Sequence, residues 1–204
     1  MNIEIIGGLA AFALVSSITP GPNNLMLMAS GANYGFRRTA PHMLGVSIGF
    51  VVMVILVGVG LVQLFDAYPL TYSVLKVLSV GYLLYLAGRI ATAAAPEIAS
   101  PDDAGSGSGK PFTFLQAAAF QWVNPKAWTM ALTSLAVYAP SQSLEAVVLV
   151  AVVFGAVNLP SVSCWTALGQ QLRKVLNQPA RLRAFNWLMA SLLVASLYPI
   201  VLTS

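Results

Sequence analysis

Six stretches of this chain, at about 3–34, 40–64, 70–90, 112–136, 144–168 and 184–203, are each long and apolar enough to cross a bilayer. A hydrocarbon core takes roughly 20 apolar residues per helix. Backbone in lipid must satisfy its own hydrogen bonds, and runs of this length do so as helices. Composition agrees, with 58% hydrophobic residues, 8% charged residues and a mean hydropathy of +0.80. Soluble domains are charged at about a quarter of their residues. Ten basic and six acidic side chains could not cover a soluble fold of 204 residues. A cytosolic enzyme, a nucleic-acid binder and a disordered chain are thereby excluded. The expected fold is all-α, a polytopic membrane protein with six transmembrane helices in one membrane domain over 1–204. Glu4 near the start, and an apolar run too long for a signal peptide, speak against a cleaved leader.

The chain divides at its one hydrophilic segment. Residues 91–111 contain Pro101-Asp102-Asp103-Ala104-Gly105-Ser106-Gly107-Ser108-Gly109, a flexible linker by composition. It separates a first half, 1–90, from a second half, 112–204, with three spans each. Eight of the ten basic residues (Arg37, Arg38, Arg89, Lys110, Arg173, Lys174, Arg181 and Arg183) fall beside the connections after spans one, three and five. The other loops and the ends carry only Glu4, Asp66 and Glu145. Basic loops stay cytoplasmic, so the linker should be cytoplasmic and both termini external. Halves with an odd number of spans cross the membrane in opposite senses, the condition for an inverted 3+3 repeat. Each half also interrupts its first span with prolines and amides.

Those interruptions are the places for chemistry. Thr19-Pro20-Gly21-Pro22-Asn23-Asn24 should end a helix and restart it, because each proline removes a backbone donor and displaces a carbonyl. Inside a membrane such a break survives only against protein or a wet cavity. A half-helix beginning near Pro22 would aim free N–H groups and its positive dipole end at an anion such as a carboxylate. The alternative is a kink that serves packing alone. In the second half, Gln121, Asn124 and Pro125 form the matching break, with Lys126 beside them. A lysine so deep in a span costs about 2.5–3.5 kcal/mol on insertion scales. Either it contacts an anionic group of a ligand, or it satisfies freed carbonyls with help from Asn124, Gln121 and Thr129. Lys76 is a second candidate, nearer a span end, and Asn158 beside Pro160 a third site for a cavity-lining amide.

Other features point away from catalysis and toward packing. His42 and Cys164 are each single, so neither a disulfide nor a metal cluster can be assembled from them, and no cofactor is implied. No span contains two acids, which disfavours an intramembrane hydrolase or a carboxylate proton relay. Without a phosphate-binding loop, uphill movement of a solute would draw on a membrane gradient. Gly31-x3-Gly35 and Gly45-x3-Gly49 fit close helix packing within the bundle. His42 reads as an interfacial polar residue and Cys164 as a small buried one. A passive pore and a non-transporting scaffold remain as alternatives, and the sequence leaves open whether copies associate.

Together these residues resemble a known pattern. Thr19-Pro20-Gly21-Pro22-Asn23-Asn24 followed by Gly35-Phe36-Arg37, then Leu75-Lys76 through Gly81-Tyr82-Leu83-Leu84-Tyr85-Leu86, then Asn124-Pro125-Lys126, are similar in order and spacing to the LysE/RhtB family of bacterial amino-acid exporters. The Asn23-Asn24 pair, Tyr34-Gly35-Phe36-Arg37 and Cys164-Trp165 look closest to its cysteine/O-acetylserine branch. Many members carry an acidic residue near the first motif, where this chain has Asn24. The resemblance implies a multi-pass protein of the bacterial inner membrane, with a small amino acid as substrate, the lipid bilayer as surroundings and no nucleic-acid partner.

Overall fold

The computed structural model describes residues 3–61, 63, 67–68, 70–93, 110–140, 143–176, 178–196 and 198. Among them the regular structure is helical throughout. In chain order the helices are α1 (Ile3–Ile18), α2 (Pro22–Tyr34), α3 (Phe36–Leu56, continued by a π-helical turn Val57–Leu61), α4 (Leu70–Ala91), α5 (Phe114–Val123), α6 (Pro125–Tyr138), α7 (Leu144–Leu172) and α8 (Pro179–Ala195). Most of the linker expected at 91–111 lies outside the described residues.

Both interruptions read from the sequence separate helices. The Thr19–Gly21 break divides the first apolar stretch, and α1 and α2 meet at a 56° bend. Asn124 divides the fourth, ending α5 and capping α6. By length and apolarity, Phe36–Leu61, Ser73–Ala91 and Leu144–Leu172 can each cross a membrane, and the bent α1–α2 pair meets the same criterion when its two helices are taken together. Over the expected last span, 184–203, the described residues form α8, which begins earlier, at Pro179, because proline suits the first position of a helix; residues 199–203 lie outside the described residues.

Large aliphatic side chains lie outside and amides lie inside. Val15, Val77, Leu115, Val152 and Trp187 are exposed, whereas Asn24, Asn33, Gln121, Asn124, Asn158 and Asn186 are all buried. Water would penalise such a surface, while lipid accepts it. Glycines allow the inner helices to close on each other. A Cβ on Gly31 would run into the Thr166 carbonyl of α7, and one on Gly169 into the Met28 carbonyl of α2. Gly45 and Gly49 of α3 sit likewise on Phe114 and Ala118 of α5. Gly35 belongs to a different job: at φ 80° it makes the turn that joins α2 directly to α3.

Two expectations fail here. His42 is fully buried rather than interfacial, with its ring 5.1 Å from that of Phe112 and neither nitrogen hydrogen-bonded. Cys164 is exposed rather than buried, because its position on α7 turns outward between the inward Ser161 and Thr166. Neither position could be read from the chain, since both residues occur in apolar runs with weak periodicity.

Candidate functional site

The last turn of a helix leaves carbonyls without partners, and at the end of α1 side chains from three other helices take them. Asn24 Nδ2, from α2, donates to Ser17 O at 2.8 Å and Thr19 O at 2.7 Å. Trp165 Nε1, from α7, donates to Ile18 O at 3.0 Å. Lys126 Nζ, from the first turn of α6, donates to Thr19 O at 2.6 Å, Thr19 Oγ1 at 2.9 Å and Pro20 O at 3.4 Å. A cation at a helix C-terminus faces the negative end of the dipole, worth up to about 2 kcal/mol where partly buried. Gly21 makes the reach possible, since a Cβ there would stand 2.7 Å from Lys126 Cδ. None of the three oxygens that hold the ammonium is a carboxylate oxygen, so it keeps an uncompensated charge.

The start of α2 is left open. Gly21 is its N-cap, in extended conformation, and supplies no side-chain cap. Pro22 has no N–H, and Leu25 N already donates to Gly21 O at 3.0 Å. The amides of Asn23 and Asn24 are therefore the free donors of this turn. Backbone carbonyls at the break are engaged while its backbone donors are not, and the positive end of α2 adds to the Lys126 charge.

The second break is stitched to the first. Asn124 Oδ1 caps α6 by accepting from Lys126 N at 3.1 Å, and Pro125 fills the first helical position. Gln121 and Asn23 form a reciprocal amide pair, Asn23 Nδ2 to Gln121 Oε1 at 2.9 Å and Gln121 Nε2 to Asn23 Oδ1 at 3.3 Å. Gln121 Nε2 also donates to Ala117 O at 2.8 Å. Each such bond contributes a net 0.5–1.5 kcal/mol or so.

Between the breaks lies a cavity of about 20 Å³, lined by Ser16 and Ser17 of α1, Gly21, Asn23 and Asn24 at the first break, Gln121, Asn124, Lys126, Ala127 and Met130 at the second, Phe50 of α3, and Asn158 and Val162 of α7. This volume corresponds to roughly one water. Seven of the twelve residues picked from the sequence meet there: Gly21, Asn23, Asn24, Gln121, Asn124, Lys126 and Asn158. Thr19 and Pro20 act from behind, as the carbonyls that hold Lys126, and Pro22 and Pro125 shape the two helix starts. Lys76 does not line the cavity; it lies half-buried on α4. Thr129 does not solvate Lys126 either, because its hydroxyl donates to Pro125 O at 3.1 Å.

Sequence reasoning missed Ser17, Phe50, Met130, Val162 and the capping role of Trp165. A serine near the end of an apolar helix carries no local mark, but Ser17 sits two residues before the break and that proximity was a usable signal. Among the described residues no cluster of His, Cys, Asp or Glu could hold a metal ion.

The chain is 28% identical over 196 residues to the cysteine/O-acetylserine efflux protein of Escherichia coli (strain K12), covering 95% of this chain and 96% of that protein. The protein of that name from Shigella sonnei (strain Ss046) matches equally, and that of Escherichia coli O139:H28 (strain E24377A / ETEC) is 27% identical over the same length. No solved structure matches significantly. The LysE type translocator family matches residues 14–196, almost the whole chain. The chain belongs to the LysE-type translocators and is a membrane transporter rather than an enzyme.

Proposed function

We propose that this chain is a secondary exporter of small neutral amino acids or their derivatives across the bacterial inner membrane, with its substrate site between the two helix breaks. One observation carries the reading: Lys126 and the residues at the start of α2, whose backbone N–H groups are free, line one cavity, while the backbone carbonyls beside them are engaged. That balance suits the α-carboxylate of a zwitterion. Gln121, Asn124 and Asn158 offer amides to the remaining polar groups. The efflux proteins it resembles, named for cysteine and O-acetylserine, support a substrate among neutral amino acids of that size.

The transport cycle follows from the two halves. In this reading six spans cross the membrane, α1–α2 and α5–α6 each counting as one broken span, with both termini external. Helix partners support an inverted repeat. The first half's broken span packs on α7 and the second half's on α3, while α3 packs on α7 and α4 on α8, so exchanging the halves maps each pairing onto another. A cavity of one water's volume must open for an amino acid to enter, and rocking one half against the other would open it alternately to each side. A larger cavity of about 430 Å³ under the π-helical turn of α3, lined by Val57, Gly58, Leu135 and Val147 among others, supplies the external exit. Along α3 and α6 the buried Met53, Val54 and Ala131 fall between residues that line one cavity and residues that line the other, and in this reading they would close that route.

Counterflow in reconstituted vesicles tests this reading. A carrier accelerates entry of labelled cysteine or O-acetylserine when unlabelled substrate is present on the far side. Entry indifferent to far-side substrate would indicate a passive pore, and no entry of any amino acid would refute export.

A further inference from the structure

The free donors account for one charged group of a zwitterion; the other needs acceptors. Most oxygens around the cavity are already engaged. Ser17 O and Thr19 O accept from Asn24, Thr19 O and Oγ1 and Pro20 O from Lys126, Gln121 Oε1 and Asn23 Oδ1 from each other's amides, and Asn124 Oδ1 from Lys126 N. Two buried polar side chains stand apart. Ser17 is 4% exposed and its hydroxyl has no hydrogen-bond partner. Asn158 is 5% exposed, lines the cavity, and its side-chain amide takes part in no hydrogen bond among the described residues. Both line the cavity, from α1 and from α7. An unpaired polar group buried in a bundle is costly unless something else completes it. Asn24 adds a third acceptor, because both bonds from its side chain leave through Nδ2 and its Oδ1 stays open.

We infer that Ser17 Oγ and Asn158 Oδ1, with Asn24 Oδ1 beside them, form an ammonium subsite that takes the α-amino group of the substrate. The inference rests on the amino-acid reading above and adds a polarity to it. The carboxylate points to the start of α2 and to Lys126, and the ammonium points to the neutral oxygens of α1 and α7. One carbon separates the two groups in an α-amino acid, which suits a cavity where the Asn24 backbone N–H serves one group and its side chain the other. Neutral oxygens suffice because the ligand carries its own negative charge to meet Lys126.

The test compares cysteine, kept reduced, with 3-mercaptopropionate, which lacks only the amino group, as competitors of counterflow in reconstituted vesicles. Wild-type protein should prefer cysteine by about tenfold or more, as loss of a hydrogen bond to a charged group entails. In Ser17→Ala and Asn158→Ala the apparent affinity for cysteine should fall by about tenfold, with 3-mercaptopropionate competing within about twofold of its wild-type strength. Ser17→Thr, which keeps the hydroxyl, should restore the preference. Equal competition by the two compounds at the wild-type protein overturns the subsite even if no variant reaches the membrane. Equal weakening of both compounds by the alanine variants also overturns it, since that marks a structural role. Absence of wild-type exchange for any amino acid would instead defeat the export reading, and the subsite with it.

Discussion

At the scale of single residues, Lys126 concentrates the most consequence. Its ammonium closes three oxygens of the α1 terminus and charges the cavity at once. Lys126→Met should reduce counterflow by about tenfold or more, since it removes the positive charge that the cavity offers a carboxylate, and a hydrogen bond to a charged group is worth about 1.5–3 kcal/mol. Membrane abundance, read by immunoblot, should stay near wild type, and wild-type transport by this variant would remove Lys126 from the site. Asn24→Ala leaves the buried Ser17 O without its partner, and should abolish efflux while the protein stays in the membrane. The Asn23–Gln121 pair invites a double-mutant cycle. Detergent-solubilised single and double alanine variants should show a coupling of about 0.5–1.5 kcal/mol in unfolding free energy, and additive effects would mean the amides do not bind the two breaks together. Lys126 was legible as a site candidate because a cation in an apolar run needs a reason. Its partners were not legible: the carbonyls it caps belong to the other break, more than a hundred residues away.

At the scale of helices, the breaks depend on proline and the approach depends on glycine. Both breaks were readable, since Pro20-Gly21-Pro22 and Asn124-Pro125 act through their own backbones and need no tertiary information. Ser17, Phe50 and Trp165 were not, because a helix face is aimed inward by its neighbours, and runs this uniformly apolar have no marked face to read. His42 and Cys164 exchanged their expected surroundings for that reason. Replacing Gly169 by Val would drive a side chain into the Met28 carbonyl. Overpacking of this kind costs about 1–3 kcal/mol, so the thermal unfolding midpoint in detergent should fall by several degrees. An unchanged midpoint would mean that the α2–α7 contact has room to spare. The α1–α2 bend should respond to a double change, Pro20→Ala with Pro22→Ala, which lets the helix run through; helical circular dichroism should hold while counterflow is lost.

At the scale of the whole molecule, the two helix breaks meet around one small polar chamber within an otherwise apolar body. The charge asymmetry of the loops is the sequence feature that proposes the two-half plan, since it depends on counting residues rather than on knowing contacts. It also fixes an expectation for orientation: a cysteine placed at either end of a Cys164→Ser chain should react with an impermeant thiol reagent from the external side only. The central claim, a hydrated chamber between the breaks that holds a zwitterion, is tested most directly by accessibility under substrate. Ala127 lines the cavity and is almost fully buried, whereas Val15 is exposed on the outer face of α1. In the Cys164→Ser background, Ala127→Cys should react with a small water-soluble thiol reagent, and O-acetylserine should slow that reaction, while Val15→Cys should stay unreactive. An Ala127→Cys side chain that no water-soluble reagent reaches, or whose labelling no amino acid slows, would contradict the account.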